Sequence, residues 1–250
     1  MKPYRDNIGS VGGLSFLGRP SLSRLYVIAI AALLLLPIGA SPTQARNSAS
    51  AASTAHVYLL RGVLNIFSLG LDDIAAQLRA QGIPVTVANF ASWSSLADEA
   101  AAGYRSGRIK TIILVGHSSG ATALPDMVAK LDQLGAPVKL AIGLDSVFRT
   151  KLSGRVGRYI NFYIANGAGE PVAATGQLQG KLENINVQSV PGVGHMSIEK
   201  NQIMQRKVIG EINAVVFGRS APSSGAQSPR QPGAAGAARP GSARAAAVRE

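Results

Sequence analysis

The chain has no cysteine among its 250 residues. That absence excludes a disulfide framework, a thiol nucleophile, thiolate metal ligands and a lipoprotein anchor, so an exported domain would have to hold by its core alone. Histidine is scarce as well, at three residues, which leaves few candidates for a neutral base. Six Phe and six Tyr are scattered along the chain, too thinly for a stacking platform that would hold single-stranded nucleic acid. Acidic side chains are outnumbered 13 to 25, yet the net charge of +12 is spread unevenly: residues 1–46 and 218–250 each carry five basic and one acidic side chain. Most of the excess therefore lies outside the probable core, and nucleic acid is not an expected partner. Also missing is a Gly-x-Gly-x-x-Gly turn after the first strand, where the chain has Arg61-Gly62-Val63-Leu64-Asn65. A dinucleotide-binding doubly wound fold is disfavoured on that ground.

The two ends differ from the middle. Lys2, Arg5, Arg19 and Arg24 precede a nearly unbroken apolar run from Leu25 to Ala40, interrupted by Pro37. Residues 1–45 read as a signal peptide or an uncleaved N-terminal membrane anchor, with Ile38-Gly39-Ala40 or Thr43-Gln44-Ala45 as cleavage sites, and residues 46–54 as a linker. Export to the periplasm or the exterior is the expected localisation, or attachment to the inner membrane by residues 25–40. From 218 to 250 the chain is Ser, Pro, Gly, Ala and Arg with almost no large apolar side chain, so this tail is expected to be disordered. Its basic charge suits a solvated linker or contact with an anionic envelope or membrane surface.

Residues 55–217 read as one domain. Periodicity predicts a strand over His56–Leu60, a helix over Gly70–Ala80 and a strand over Pro84–Phe90. Ser95-Leu96-Ala97-Asp98 offers a capping box for a helix to about Tyr104. Further strands are expected over Lys110–Val115, Val138–Leu144, Tyr159–Ala165 and Ile185–Val190, then a helix from about Asn201 to Val216. Apolar strands alternating with helices imply an α/β fold with three αβα layers and a mostly parallel sheet, all strand C-termini on one edge. The gaps leave no room for a large cap.

On that edge the run Thr111–Val115 empties into Gly116-His117-Ser118-Ser119-Gly120. Gly-x-Ser-x-Gly between a strand and a helix is the pattern of a nucleophile elbow, which would expose Ser118. A serine hydroxyl needs a neutral imidazole to take its proton. His56 starts the first strand, far from the edge, and His117 should pack beneath the turn, whereas His195 lies in the loop Pro191–Met196 before the last helix. An acid ending another strand should orient the imidazole. Asp145, after Ala141-Ile142-Gly143-Leu144, meets this, and Glu170 is the alternative acid; Asp126 and Asp132 lie along the nucleophile helix and point away. Arg61 suits an anionic substrate group or a surface salt bridge.

Gly116 to Gly120, Asp145 and His195, in that order, resemble the triad of the α/β-hydrolase superfamily, over about Ala55 to Phe217. Gly143-Leu144-Asp145-Ser146 is similar to the Gly-Leu-Asp-Pro of lipases that take their acid from this strand, with Ser146 in place of proline. Val193-Gly194-His195 resembles the histidine loop of small bacterial thioesterase-like and lipase-like members. The resemblance implies hydrolysis of a small ester or thioester through an acyl-enzyme, without metal or organic cofactor. One oxyanion donor would be the Ser119 N–H and the other, by resemblance, the Val63 N–H, with Val147, Phe148 and Leu152 as a small apolar wall. An acyltransferase or peptidase on the same fold, and a non-catalytic envelope protein retaining it, stay open as alternatives.

Overall fold

The computed structural model describes residues 42–63 and 68–218. The export segment read over residues 1–45 and the tail over 218–250 lie outside the described residues, apart from Pro42 to Ala45 and Gly218. Among the described residues no helix is long and apolar enough to cross a membrane.

Among the described residues six strands form one sheet: β1 (Ala55–Arg61), β2 (Val85–Asn89), β3 (Thr111–His117), β4 (Val138–Leu144), β5 (Lys151–Tyr163) and β6 (Ala173–Asn186). Their order is β2-β1-β3-β4-β5-β6, and every neighbouring pair is parallel. The helices are α1 (Pro42–Thr54), α2 (Gly70–Ala80), α3 (Trp93–Arg105), α4 (Ser119–Gln133) and α5 (Gln202–Phe217). Successive side chains of a strand point to opposite faces, so strands apolar at every position must be covered on both sides. Val57, Leu59, Ile113, Val115 and Ile142 pack with Leu71, Ile74 and Leu78 of α2 and with Met204, Val208 and Ile212 of α5. Tyr58, Leu60, Ile112, Leu114 and Ala141 pack instead with Leu96 and Ala100 of α3 and with Leu124, Met127 and Leu131 of α4. The result is the expected α/β fold with an open parallel sheet in three layers. Each fully buried Leu or Ile contributes roughly 1.5–3 kcal/mol relative to exposure.

Three local departures have physical causes. Residues 46–54 were expected to be a linker but are helical, within α1, where a run of Ala and Ser carries no breaker and Ala52 is buried at the end. The helix α3 begins at Trp93, two residues before the expected Ser95 cap. Ser95 Oγ donates to the Ser92 carbonyl. The helix is entered through a 3-10 turn, Phe90–Ser92, whose start is fixed by Asn89 Oδ1 accepting from the Ala91 N–H at 2.9 Å.

The third departure concerns the last two strands: β5 begins at Lys151, ahead of the expected Tyr159, and β6 ends at Asn186, so the strand expected over Ile185–Val190 meets it only at its first two residues and the rest of that segment is turn. Six residues, 145–150, join the carboxyl end of β4 to the start of β5, and extended they reach about 20 Å. A straight parallel return along the seven residues of β4 needs about 23 Å before β5 could begin. Yet β5 begins five residues ahead of Val156, the partner of Val138. The first half of β5 must therefore start near the carboxyl edge and run down over α4. Gly154, at φ 80°, lies against Ala129 and Asp132 of α4, and Arg155 pairs with Asp132 at 3.1 Å. β6 accompanies β5 along its whole length, with register shifts at Leu152/Gly154 and Val156/Arg158. There a Cβ on Gly180 would lie 1.6 Å from the Val156 carbonyl oxygen, so the bend tolerates only glycine. As the outermost strand β6 is mostly exposed, and Arg158 fastens it by pairing with Glu183 at 2.6 Å and with Glu211 of α5. Those guanidinium bonds hold the Glu183 carboxyl down at about 2.

Candidate active site

The strand order reverses between β1 and β3, and the crevice at the carboxyl ends of strands flanking such a point is where open α/β sheets bind ligands. Gly62 follows β1 there and Ser118 follows β3. Ser118 adopts φ 57° and ψ −122°, a conformation that side chains rarely take, and donates its N–H to the Leu144 carbonyl at 3.0 Å. Both flanking glycines are sterically required. A Cβ on Gly116 would lie 2.5 Å from the Gly120 backbone, and one on Gly120 would lie 2.0 Å from the Leu60 carbonyl oxygen. Helix α4 starts at the next residue, so the Ser119 N–H sits at its positive end.

Asp145 leaves β4 in a second strained conformation, φ 55°, and is wholly buried. Its N–H donates to the Phe162 carbonyl at 2.8 Å, and its Oδ1 accepts from the Ile164 N–H at 2.9 Å. Its Oδ2 lies 2.7 Å from His195 Nδ1. On the other side of the ring, His195 Nε2 lies 3.1 Å from Ser118 Oγ. Thus the three residues singled out in sequence form one hydrogen-bonded chain, with His195 about a quarter exposed.

The loop carrying His195 is well tied down. Gly194 N–H donates to Ser197 Oγ at 3.0 Å, Ser197 Oγ donates to the Gly192 carbonyl at 2.9 Å, and Asn201 Nδ2 donates to the Pro191 carbonyl at 2.9 Å. Asn201 Oδ1 also caps α5 by accepting from the Ile203 and Met204 N–H groups. Ile198 pins the segment to the core.

Glu170, the alternative acid, does not approach the imidazole. Its carboxylate pairs with Arg149 at 3.3 Å on the surface, while its backbone braces the loop against Ser146 and Asn161. Arg61 forms a salt bridge with Asp72 in the first turn of α2. His56 lies at the opposite edge of the sheet, bonded to Thr86 Oγ1 at 2.8 Å and stacked on Tyr58.

Four features escaped sequence reasoning. Gly169 abuts the acid: a Cβ there would lie 1.8 Å from Asp145 Oδ1. Thr122, one turn into α4, accepts from the Val147 N–H at 3.2 Å and bonds Ser146 Oγ at 3.0 Å, which shapes the turn after Asp145. Ser68 bonds His117, and Glu199 is buried beside it. None of these carries a short-range signal, because each partner is distant in sequence.

A cavity of about 320 Å³ opens over Ser118, lined among others by Gly62, Val63, Ser119, Phe148 and Met196. Gly62 already donates its N–H to Ser68 Oγ at 3.2 Å, which leaves the next amide, Val63, as the candidate donor from this loop. Val147 and Phe148 line the cavity as expected, but Leu152 does not. It is fully buried in the core between the sheet and α4, because the start of β5 runs down that side.

No protein-family model matches the chain, and no curated protein matches it. Solved structures similar to it include a gene product of Listeria innocua, 12% identical, covering 62% of this chain and 92% of that one with a TM-score of 0.46. Another is a proposed hydrolase of the alpha/beta superfamily from Xanthomonas campestris pv. campestris, 11% identical, covering 64% and 99% with a TM-score of 0.37. A third is an uncharacterised protein of Bacillus cereus, 7% identical, covering 76% and 67% with a TM-score of 0.37. At these values the likenesses carry no functional weight, and the chemistry is read from the site itself.

Proposed function

We propose that the protein is a serine hydrolase of the α/β-hydrolase type, cleaving an ester or thioester through an acyl-enzyme. The observation that carries this reading is the unbroken chain from Ser118 Oγ through His195 to a buried Asp145, at 3.1 and 2.7 Å, on a strained strand-to-helix turn. In the forward step His195 Nε2 takes the Ser118 proton as Oγ attacks the carbonyl carbon. Asp145, accepting from Nδ1–H, fixes the tautomer and stabilises the imidazolium. The tetrahedral oxyanion is received by the Ser119 and Val63 N–H groups. Collapse expels the alkoxide or thiolate, which takes the proton from His195 Nε2, and a water molecule deprotonated by the same nitrogen releases the acid and regenerates Ser118.

Among the described residues the cavity lining contains no Lys, Arg, Asp or Glu, only the imidazoles of His117 and His195 as ionisable groups. A charged acyl group would lose hydration there without a partner, so the favoured substrate is neutral and of modest size. The open mouth, with Phe148 67% and Met196 48% exposed, suits an apolar acyl or alcohol group.

The test is pre-steady-state hydrolysis of p-nitrophenyl esters of graded chain length. A burst of p-nitrophenol equal to the enzyme, with turnover on short chains, is expected, and Ser118→Ala should abolish both. Turnover confined to long chains at a lipid interface contradicts the substrate assignment. Full activity in Ser118→Ala contradicts the mechanism.

A further inference from the structure

The mechanism leaves one buried histidine unused. His117 is only 1% exposed, directly beneath the turn that carries Ser118, and both of its ring nitrogens are engaged. Nδ1 lies 2.9 Å from Ser68 Oγ and Nε2 lies 2.8 Å from the backbone carbonyl oxygen of His195. A carbonyl can only accept, so Nε2 must carry the hydrogen; a bare Nε2 would set two lone pairs against each other at that distance. Burial pushes the His117 ring down to about 4, against the opposing effect of its bond to the His195 carbonyl, so at neutral pH it holds one proton and Nδ1 must accept. Ser68 then donates its hydroxyl hydrogen to Nδ1, and its oxygen accepts the Gly62 N–H. Glu199, fully buried with Oε2 3.6 Å from His117 Nε2, does not disturb this assignment, because burial also favours its neutral form.

The bonds therefore run without a break from Gly62 N–H to Ser68, from Ser68 to His117, and from His117 to His195. One end is the loop that offers the Val63 N–H to an oxyanion. The other is the main chain of the residue that takes the Ser118 proton. We propose that His117 is a positioning residue which ties the oxyanion loop to the histidine loop, so that donor and base keep their register about Ser118. This role rests on the serine-hydrolase reading above, and it assigns to His117 a bridge between loops as well as a packing contact. Displacement of either loop by about 1 Å is enough to cost on the order of a hundredfold in rate.

The two halves of the bridge can be separated by isosteres. An Asn amide places its oxygen near Nδ1 and keeps an acceptor for Ser68, whereas a Gln amide places its nitrogen near Nε2 and keeps a donor for the His195 carbonyl. Phe fills the ring volume and keeps neither. Two readouts are taken on the folded full chain: the low-field proton resonance of His195 Nδ1–H on Asp145, and kcat and KM on p-nitrophenyl acetate. His117→Phe should lose the resonance and about a hundredfold in kcat with KM nearly unchanged. His117→Gln should retain the resonance and return to within about fivefold of wild type, while His117→Asn should lose the resonance. Ser68→Ala should keep it and still lose about tenfold in kcat, because only the oxyanion loop is released.

Wild-type kcat with an unchanged resonance in His117→Phe would show the ring to be a filler and overturn the proposal. So would equal behaviour of the Gln and Asn variants, a comparison that remains decisive should the Phe variant fail to fold. If the wild-type protein turns over no ester, the hydrolase reading falls. The resonance then still decides whether His117 holds the histidine loop.

Discussion

Gly169→Ala places a methyl group where the candidate acid already sits. Its Cβ would stand 1.8 Å from Asp145 Oδ1 and 3.1 Å from the Ile164 nitrogen, the donor that orients that oxygen. Bringing the first separation to the 3.0 Å floor of real contacts requires about 1.2 Å of movement by the carboxylate or by the loop. The loop is poorly placed to yield. Glu170 N–H is bonded to the Ser146 carbonyl, Asn161 Nδ2 to the Glu170 carbonyl, and Val172 is seated in the core. If the carboxylate moves, the 2.7 Å bond to His195 Nδ1 opens and the imidazole loses its orientation. Misplacement of this size corresponds to about a hundredfold in kcat/KM, or roughly 2.7 kcal/mol of transition-state stabilisation. The assay is steady-state hydrolysis of p-nitrophenyl acetate beside a thermal melt. Activity falling by that factor in a protein that still melts cooperatively is the expected result. A fully active Gly169→Ala variant would refute the placement of Asp145 as the orienting acid.

Other perturbations have outcomes of known sign. Asp145→Asn should cost on the order of 10⁴ in kcat, because an amide hydrogen facing Nδ1 reverses the tautomer, while Glu170→Gln should leave kcat within about twofold; steady-state kinetics on both variants checks the pair. Glu199→Gln should raise the melting temperature at about pH 8, where the native carboxyl, whose pKa burial raises, is disfavoured as an anion; the gain should vanish by about pH 4, where both side chains are neutral. Glu183 behaves oppositely: its native pKa is lowered to about 2, so its contribution is complete above about 4.5 and is lost as pH falls toward 2. Glu183→Gln should therefore cost about 1–2 kcal/mol in urea unfolding at neutral pH and little at about pH 2, given that the pair is partly exposed.

What was legible in the sequence was whatever the chemistry writes at short range. The Gly-x-Ser-x-Gly spacing marks a turn at which two Cβ atoms cannot be accommodated, and Val138–Leu144 and Gly70–Ala80 coincide with β4 and α2 because a strand covered on both faces and a one-sided helix have distinct periods. An acid closing β4 and a histidine after the last strand followed from the parallel topology, and the structure brings both to Ser118. The rest was not legible because its determinants are long-range. The apolar second half of β5, from Tyr159, was legible, but β6 is exposed along most of its length and glycine interrupts it and the first half of β5, so neither alternation nor an apolar run announces those stretches. Leu152 was placed at the cavity wall because nothing local signals that β5 starts down over α4. The Gly62, Ser68, His117 and His195 bridge joins two loops through the end of β3, and only the folded sheet brings them together.

The most direct test of the account is reaction of the folded protein with a fluorophosphonate probe followed by peptide mapping. Covalent modification of Ser118 alone, lost in His195→Ala and abolished by prior denaturation, is the predicted result. A folded protein that stays unlabelled, or that is modified at a serine other than Ser118, would contradict it.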